Sequence, residues 1–340
     1  MGTLPLRPGG EVRSPARLVV DSADRLVNTT HRSAGDYTPA NERERPVHRR
    51  GFAVQGRFTA SGALTPYTRT PALAAGASQA TVRFSNFKRD DWERMTDVRG
   101  MACRLVSIAR AADDQDTRGR SLDLVAMTAP RFIVRREEDF HEVAPRRQGW
   151  GRLRLPWFIL TRRTTVTAVA ALLWHTRLRP PGWHLDLANR KYFGVHTFWL
   201  EKAGEYRAMR YHWRPATRRS PGTGDLDEAL TNMLPIAFDL IVDLFDEDVP
   251  YRKTNDPLRR YPNVLREVWP ISRRPRVQGT QRLVAGRLEL SERLTADHPA
   301  NTDWVFNPVP AIGGFEASDD EILEARGGAY LASHVRRSPP

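Results

Sequence analysis

The sequence predicts an α+β fold, a closed antiparallel β-barrel with helical additions. Three observations carry that prediction. Short runs of alternating apolar residues recur from Pro46 to residue 213, turns bearing Gly and Asp separate them, and helical spacing replaces the alternation after residue 223. A chain of 340 residues can bury a large core. Residues 1–40 are rich in Pro, Gly, Ser and Arg without periodicity, so they are expected to form an N-terminal arm. No repeat or linker divides the remainder, and 41–340 is expected to be one domain.

The first run, "HRRGFAVQGRF" (48–58), places His48, Phe52, Val54 and Phe58 on one strand face and Arg49, Gln55 and Arg57 on the other. His48 is therefore expected to point inward with the apolar residues. Further strands are expected at "ATVRFSN" (80–86), "VRGMACRLV" (98–106), "SLDLVAM" (121–127), "RFIVR" (131–135), "FGVHTFWL" (193–200) and "EYRAMRYHW" (205–213). Such a series of short strands suits barrel closure, which removes unpaired edges. The apolar stretch 155–182 predicts a buried helical crossover, with peripheral membrane contact as its rival. "GDLDEALTNMLPIAFDLIVDLF" (224–245) has an acidic start and helical spacing. "DDEILEARGGAYLASHVRR" (319–337) predicts a last helix with Asp319 and Asp320 at its start as cap and dipole partners.

Composition narrows the function. The one cysteine, Cys103, excludes an intrachain disulfide and a thiolate metal cluster. The start of the chain lacks an apolar stretch of signal-peptide length, and no window holds ~18 uninterrupted apolar residues, so a cytoplasmic protein is expected. A net charge of +13 raises nucleic acid as a partner. The cations argue against it: lysine occurs only at 88, 191, 202 and 253, and the arginines are scattered rather than gathered on one stretch.

Phosphate loops, nucleophile elbows, zinc-protease helices and dinucleotide fingerprints are all missing from the sequence. What remains is His48 near the start and a tyrosine near the end. On a helix, Arg326 and Tyr330 share a face at i, i+4 spacing, within reach of one another. A fixed cation beside a phenol favours its phenolate form. Phenolate oxygen is a hard anionic ligand for ferric iron. The plainer alternative is an amphipathic helix with surface arginines and one buried tyrosine.

From about residue 42 to 337 the sequence resembles the heme catalase family. "RPVHRRG" is similar to the strand bearing the distal histidine, "VRFSN" and "DVRGMACRL" to the next two strands, and "DLVAMTAPRFIVRREEDF" to the segment with the distal asparagine and pocket phenylalanines. "YFGVHTFWL", "EVWP" and "VFNPVP" follow in family order, and the tail matches Arg-x-x-x-Tyr-x-x-x-His-x-x-Arg through Arg326, Tyr330, His334 and Arg337. The length resembles that of the short catalase-related peroxidases without a C-terminal flavodoxin-like domain.

The resemblance implies a catalase-like barrel with heme b in the barrel and a peroxidase or catalase reaction. Its substrates would be hydrogen peroxide or organic hydroperoxides together with a small organic electron donor, and the chain would form a homo-oligomer. Tyr330 matches the proximal iron ligand, and Arg326 the arginine that keeps it ionised. His48 matches the distal acid and base, and Ser85 the hydroxyl on its other ring nitrogen. Arg45, Arg83 and Arg337 match cations at the heme propionates. Val47, Phe132 and Phe140 match pocket walls, and His334 belongs to the tail motif.

The chain departs from the family at Met127-Thr128-Ala129-Pro130, where catalases carry Asn-Asn-Thr-Pro. Thr128 is aligned with the distal asparagine, and Met127, which also replaces an asparagine, takes that place if the register shifts by one. A hydroxyl offers fewer and shorter hydrogen bonds than a carboxamide, so peroxidase activity is expected to exceed catalase activity. Gly327 and Gly328 also interrupt the proximal helix, each costing about 1 kcal/mol relative to alanine. Two rivals stand beside this reading: a lipid-hydroperoxide isomerase resembling allene oxide synthase, and a basic heme-binding protein without turnover. Val47 counts against the first, since those enzymes carry threonine beside the distal histidine.

Overall fold

The computed structural model describes residues 45, 48, 51–86, 98–108, 121–129, 187–217, 226–245, 281–318 and 320–337. In chain order the strands are β1 (Gly51–Ala60), β2 (Gly76–Asn86), β3 (Arg99–Ser107), β4 (Ser121–Met127), β5 (Tyr192–Phe193), β6 (Phe198–Lys202), β7 (Glu205–Pro215), β8 (Ile236–Leu244), β9 (Gln281–Arg293) and β10 (Phe315–Ala317). The helices are α1 (Pro71–Ala74), α2 (Leu226–Met233), α3 (Pro299–Thr302) and α4 (Glu321–Arg337).

Eight of these strands form a closed antiparallel ring. β1 pairs with β2, β2 with β3, β3 with β4, β4 with β5 and β5 with β7; β7 then pairs with β8, β8 with β9, and β9 returns to β1. β6 lies against the first half of β7, and β10 against β6. The expected closed barrel with few helices is therefore present. Residues 1–40, the expected strand at 131–135 and the stretch 155–182 lie outside the described residues. No helix among the described residues is long and apolar enough to cross a membrane.

Strand alternation sorts the wall into two faces. Val54, Phe58, Val82, Phe84, Met101, Cys103, Leu122 and Leu124 point inward with Tyr192, Trp213, Phe238 and Leu288, all buried in one cluster. Ring contacts cross the interior: Phe84 meets Tyr192 at 5.8 Å and Phe238 at 6.3 Å between centroids, and Phe58 meets Trp213 edge-on at 6.0 Å. The outward face carries the charges. Arg104 pairs with Asp123, Arg214 with Asp239, and Arg282 with Asp243, each across adjacent strands. Many of the scattered arginines thus cover a barrel wall.

Two expectations change. The segment 224–245 is helical only as far as Met233, and Ile236–Leu244 is strand β8. Pro235 cannot continue a helix, and Ile236, Phe238, Leu240, Val242 and Leu244 alternate into the core. β9 was not anticipated, because its charged outward positions hide the inward Leu288 and Leu290. Farther along, Asp320 caps α4 as expected: its Oδ1 accepts the Ile322 N–H at 3.0 Å.

The interior rings set a stability expectation. Phe84 is fully buried among Phe52, Tyr192 and Phe238. Phe84→Ala is expected to cost about 3–5 kcal/mol, seen as a lower urea midpoint with the far-ultraviolet circular dichroism of the folded chain retained.

Candidate active site

A single row of cross-strand partners builds one wall of the site. Gly51, Ser85, Gly100, Met127, Phe193 and His212 lie side by side on β1, β2, β3, β4, β5 and β7. Directly paired residues share a sheet face, and this row alternates with the inward Phe84 and Met101, so it faces outward. His48 sits against it. Ser85 Oγ and His48 Nδ1 are 3.0 Å apart, and Arg83 Nη2 donates to the His48 carbonyl at 3.0 Å. A Cβ on Gly100 would lie 2.9 Å from His48 Cε1 and 2.8 Å from Ser85 Oγ, so only glycine lets the imidazole approach the wall this closely.

The inward direction expected for His48 is therefore corrected. β1 begins at Gly51, and His48 before it adopts φ of 57°, which takes it out of the strand alternation. The row beside His48 lies on the outer face of the barrel strands, while ring contacts fill the interior. Burial, then Arg83, Arg326 and Arg45, push His48 down to about 3. Its imidazole is accordingly neutral across the physiological range.

Thr128 is placed differently from Met127. The Thr128 N–H donates to the Arg99 carbonyl at 2.9 Å, and Thr128 Oγ1 accepts the Arg99 N–H at 3.0 Å. Its hydroxyl oxygen thus closes the end of the β3–β4 ladder. The place in the outward row next to Gly100, beside His48, belongs to Met127. Threonine stands one residue out of phase with that row, a distinction that strand register alone makes.

Arg326 and Tyr330 stand on α4. The Arg326 guanidinium carbon lies 5.9 Å from the centre of the Tyr330 ring, as the i, i+4 spacing implies. Arg45, Arg83 and Arg337 gather in the same region. Burial, then repulsion from Arg83 and Arg337, push Arg45 down to about 9; burial, then Arg337, push Arg83 down to about 10. Burial lowers Arg337 as well. Tyr330 is near enough to act electrostatically on both Arg45 and Arg83, and both of these act on His48. His48 and Tyr330 thus face one set of cations from two different elements. Arg45 Nη2 donates to the Trp304 carbonyl at 3.0 Å and Arg337 Nη1 to that of Thr302 at 2.8 Å. His334 lies 3.7 Å from the Asp303 carboxylate.

Behind Arg326 stands a pair that the sequence reading passed over. Arg326 Nη1 lies 2.7 Å from His196 Nε2, and His196 Nδ1 lies 2.7 Å from Asp320 Oδ2, with all three residues buried. Arginine has no acceptor, so it donates to Nε2; Nδ1–H then donates to the carboxylate. Asp320 therefore does more than cap α4. His196 belongs to "FGVHTFWL" (193–200), but nothing local marks a histidine whose partners lie far along the chain.

Gly327 is explained by packing. A Cβ there would lie 2.5 Å from Val309 Cγ2, so the glycine lets α4 settle onto the segment carrying Asn307 and Val309. Val47, Phe132 and Phe140 lie outside the described residues.

Comparison with known proteins agrees with this architecture. The catalase family profile matches residues 36–234. A catalase of Ipomoea batatas is 26% identical over 321 residues, covering 87% of this chain and 61% of the relative. Catalase-3 of Arabidopsis thaliana is 27% identical over 322 residues with the same coverages. A catalase-related peroxidase of Mycolicibacterium paratuberculosis is 27% identical over 306 residues, covering 85% of this chain and 87% of the relative. The chain thus spans about 61% of the length of the plant catalases it matches. With more than half of its residues matched by the family profile and the barrel closed as described, the chain belongs to the catalase family.

Proposed function

We propose that this chain is a heme b peroxidase that uses hydrogen peroxide or an organic hydroperoxide as oxidant. The observation that supports it most is the convergence of a neutral imidazole on the barrel wall and a tyrosine on α4 upon one cluster of buried cations. The donor set fits an iron porphyrin. Three guanidiniums match two carboxylates, a phenolate oxygen suits ferric iron, and Gly100 leaves the space that a Cβ beside His48 would take. Tyr330 would ligate the iron, and Arg45, Arg83 and Arg337 would hold the propionates. Bound heme would supply the two-electron redox chemistry of peroxide reduction.

The protein's own part is binding and proton movement. With Nδ1–H donated to Ser85 Oγ, His48 Nε2 carries the lone pair. Nε2 takes the hydroxyl proton of the peroxide and delivers it to the departing oxygen, which leaves as water or an alcohol rather than as an anion. The two electrons would come from an organic donor, which would itself be oxidised. Arg326 stands over the Tyr330 ring, its guanidinium carbon 5.9 Å from the ring centre, and His196 and Asp320 hold Arg326 in that orientation.

A preference for peroxidase over catalase turnover is part of the proposal. In the outward row beside His48 this chain offers Met127, a thioether, and Phe193 farther along. Neither orients a second peroxide by a strong hydrogen bond. An organic donor does not need that hydrogen bond.

Tyr330→Phe removes the phenol oxygen and keeps the shape. It is expected to abolish stable hemin retention after gel filtration, and a normal ferric spectrum in that variant would overturn the proximal assignment. His48→Ala should retain hemin while slowing the peroxide-dependent change of the Soret band by about 10²–10⁴. Because His48 is pushed below its ordinary value, its base form survives as pH falls through ~6.5 and is lost only on approach to about 3. The stopped-flow rate is therefore expected to stay flat from about pH 5 to 8, and an inflection near ~6.5 speaks against the wall environment described.

Met127→Asn is expected to raise oxygen evolution relative to dye oxidation by a few-fold to about tenfold, the effect of one hydrogen bond of about 0.5–1.5 kcal/mol. Thr128→Asn displaces the hydroxyl that accepts the Arg99 N–H and should leave the ratio unchanged. The reverse pattern would place Thr128, not Met127, in the reacting space.

A further inference from the structure

On the outer wall, Arg104 of β3 and its register partner Asp123 of β4 form a two-pronged ion pair, Nε to Oδ1 and Nη2 to Oδ2, both at 2.7 Å. The pair reaches beyond the sheet. Arg104 Nη2 also donates to the Val305 carbonyl at 2.5 Å, and Asp123 Oδ2 accepts the Asn307 N–H at 3.0 Å. The guanidinium carbon lies 4.9 Å from the Trp304 ring centre and 5.2 Å from that of Phe306, close enough for cation–π attraction to both. One ion pair thus grips the backbone and the rings of a strap at 302–307.

The same strap carries the acceptors of two site cations, the Thr302 carbonyl for Arg337 and the Trp304 carbonyl for Arg45. It also meets α4, where Val309 packs on Gly327 and Asn307 Oδ1 accepts the Val309 N–H at 2.9 Å. Like charges gathered in a half-buried space repel, and an arginine side chain has about 2 kcal/mol of rotamer entropy with which to swing away. Arg337 is also tied to its own helix, Nε donating to the Ser333 carbonyl at 3.1 Å, but the strap supplies the carbonyls that direct its Nη1 and the Nη2 of Arg45.

We propose that Arg104 and Asp123 are positioning residues for carboxylate recognition: by holding the strap on the barrel wall they keep the Thr302 and Trp304 carbonyls where these aim Arg337 and Arg45 at the carboxylates of a bound porphyrin. The inference rests on the heme reading above. It assigns a role at the cofactor to an ion pair whose own contacts are with the strap. Arg104→Lys keeps the charge but loses the planar fork, so lysine can serve Asp123 or Val305 and not all three acceptors at once.

The test uses the full chain with two probes, hemin and hemin dimethyl ester, which keeps the ring and iron but caps both carboxylates. Dissociation of each is followed by transfer to apomyoglobin. Wild type is expected to hold hemin at least about tenfold longer than the ester. Asp123→Asn and Arg104→Gln should shrink that ratio by about tenfold, the usual scale for an outer support of a cofactor ligand, with Arg104→Lys in between. If these variants lose both probes faster in the same proportion, the pair is merely structural and the proposal is overturned; an unchanged ratio overturns it too. Should either variant fail to fold, Arg104→Lys and Trp304→Leu carry the same comparison. A wild-type chain that binds neither probe overturns the heme reading itself, which separates the two failures.

Discussion

Closure of the barrel through β7, which pairs with β5 along one edge and β8 along the other, is the constraint on which the site depends. Once the ring is closed, each strand has one face toward a packed interior and one toward the outside. The interior is taken by aromatic and branched side chains in direct contact. Polar chemistry is thereby confined to the outer wall. His48, Ser85, Arg83 and Gly100 are found there, on the face that the aromatic and branched side chains of the interior leave open.

The second layer of organisation is electrostatic. Arg45, Arg83 and Arg337 lie close together; burial first, and then repulsion from neighbouring guanidiniums at Arg45 and Arg83, lowers their pKa values, while burial alone lowers that of Arg337. The same field acts on His48. A buried imidazole among guanidiniums resists protonation, and that leaves it a base at neutral pH. The cations that would receive carboxylates therefore also set the state of the group that moves the proton. Binding of anions and readiness for acid–base chemistry are linked through one cluster.

Helix α4 is tied down at three levels. At its start, Asp320 caps the helix and orients His196, which in turn accepts from Arg326. In its middle, Gly327 lets it sit on Val309. At its end, Arg337 reaches the carbonyl of Thr302. Two glycines weaken a helix in isolation, but tertiary contact on one of them makes close approach the overriding term. Tyr330 occupies the span between these anchors, so the stretch of helix that carries it is held on both sides.

The sequence by itself determined the strands at 51–60, 76–86, 98–107, 121–127 and 205–215 to within a few residues, because alternation is a local pattern that a half-buried strand must carry. It also determined the Arg326–Tyr330 pair, since i, i+4 neighbours on a helix meet whatever surrounds them. The tail motif and the order of segments identified the family. Tertiary structure alone decided the rest. Which face His48 joins depends on a positive φ just before β1, and whether Met127 or Thr128 lies beside it depends on the register between β3 and β4. β8 looked helical because its apolar spacing is compatible with both periods until Pro235 and the β7 and β9 ladders select one. His196, Arg104 and Asp123 carried no local mark, and Asp320 was marked only as a cap, for the other partners come from distant parts of the chain and only barrel closure brings them together.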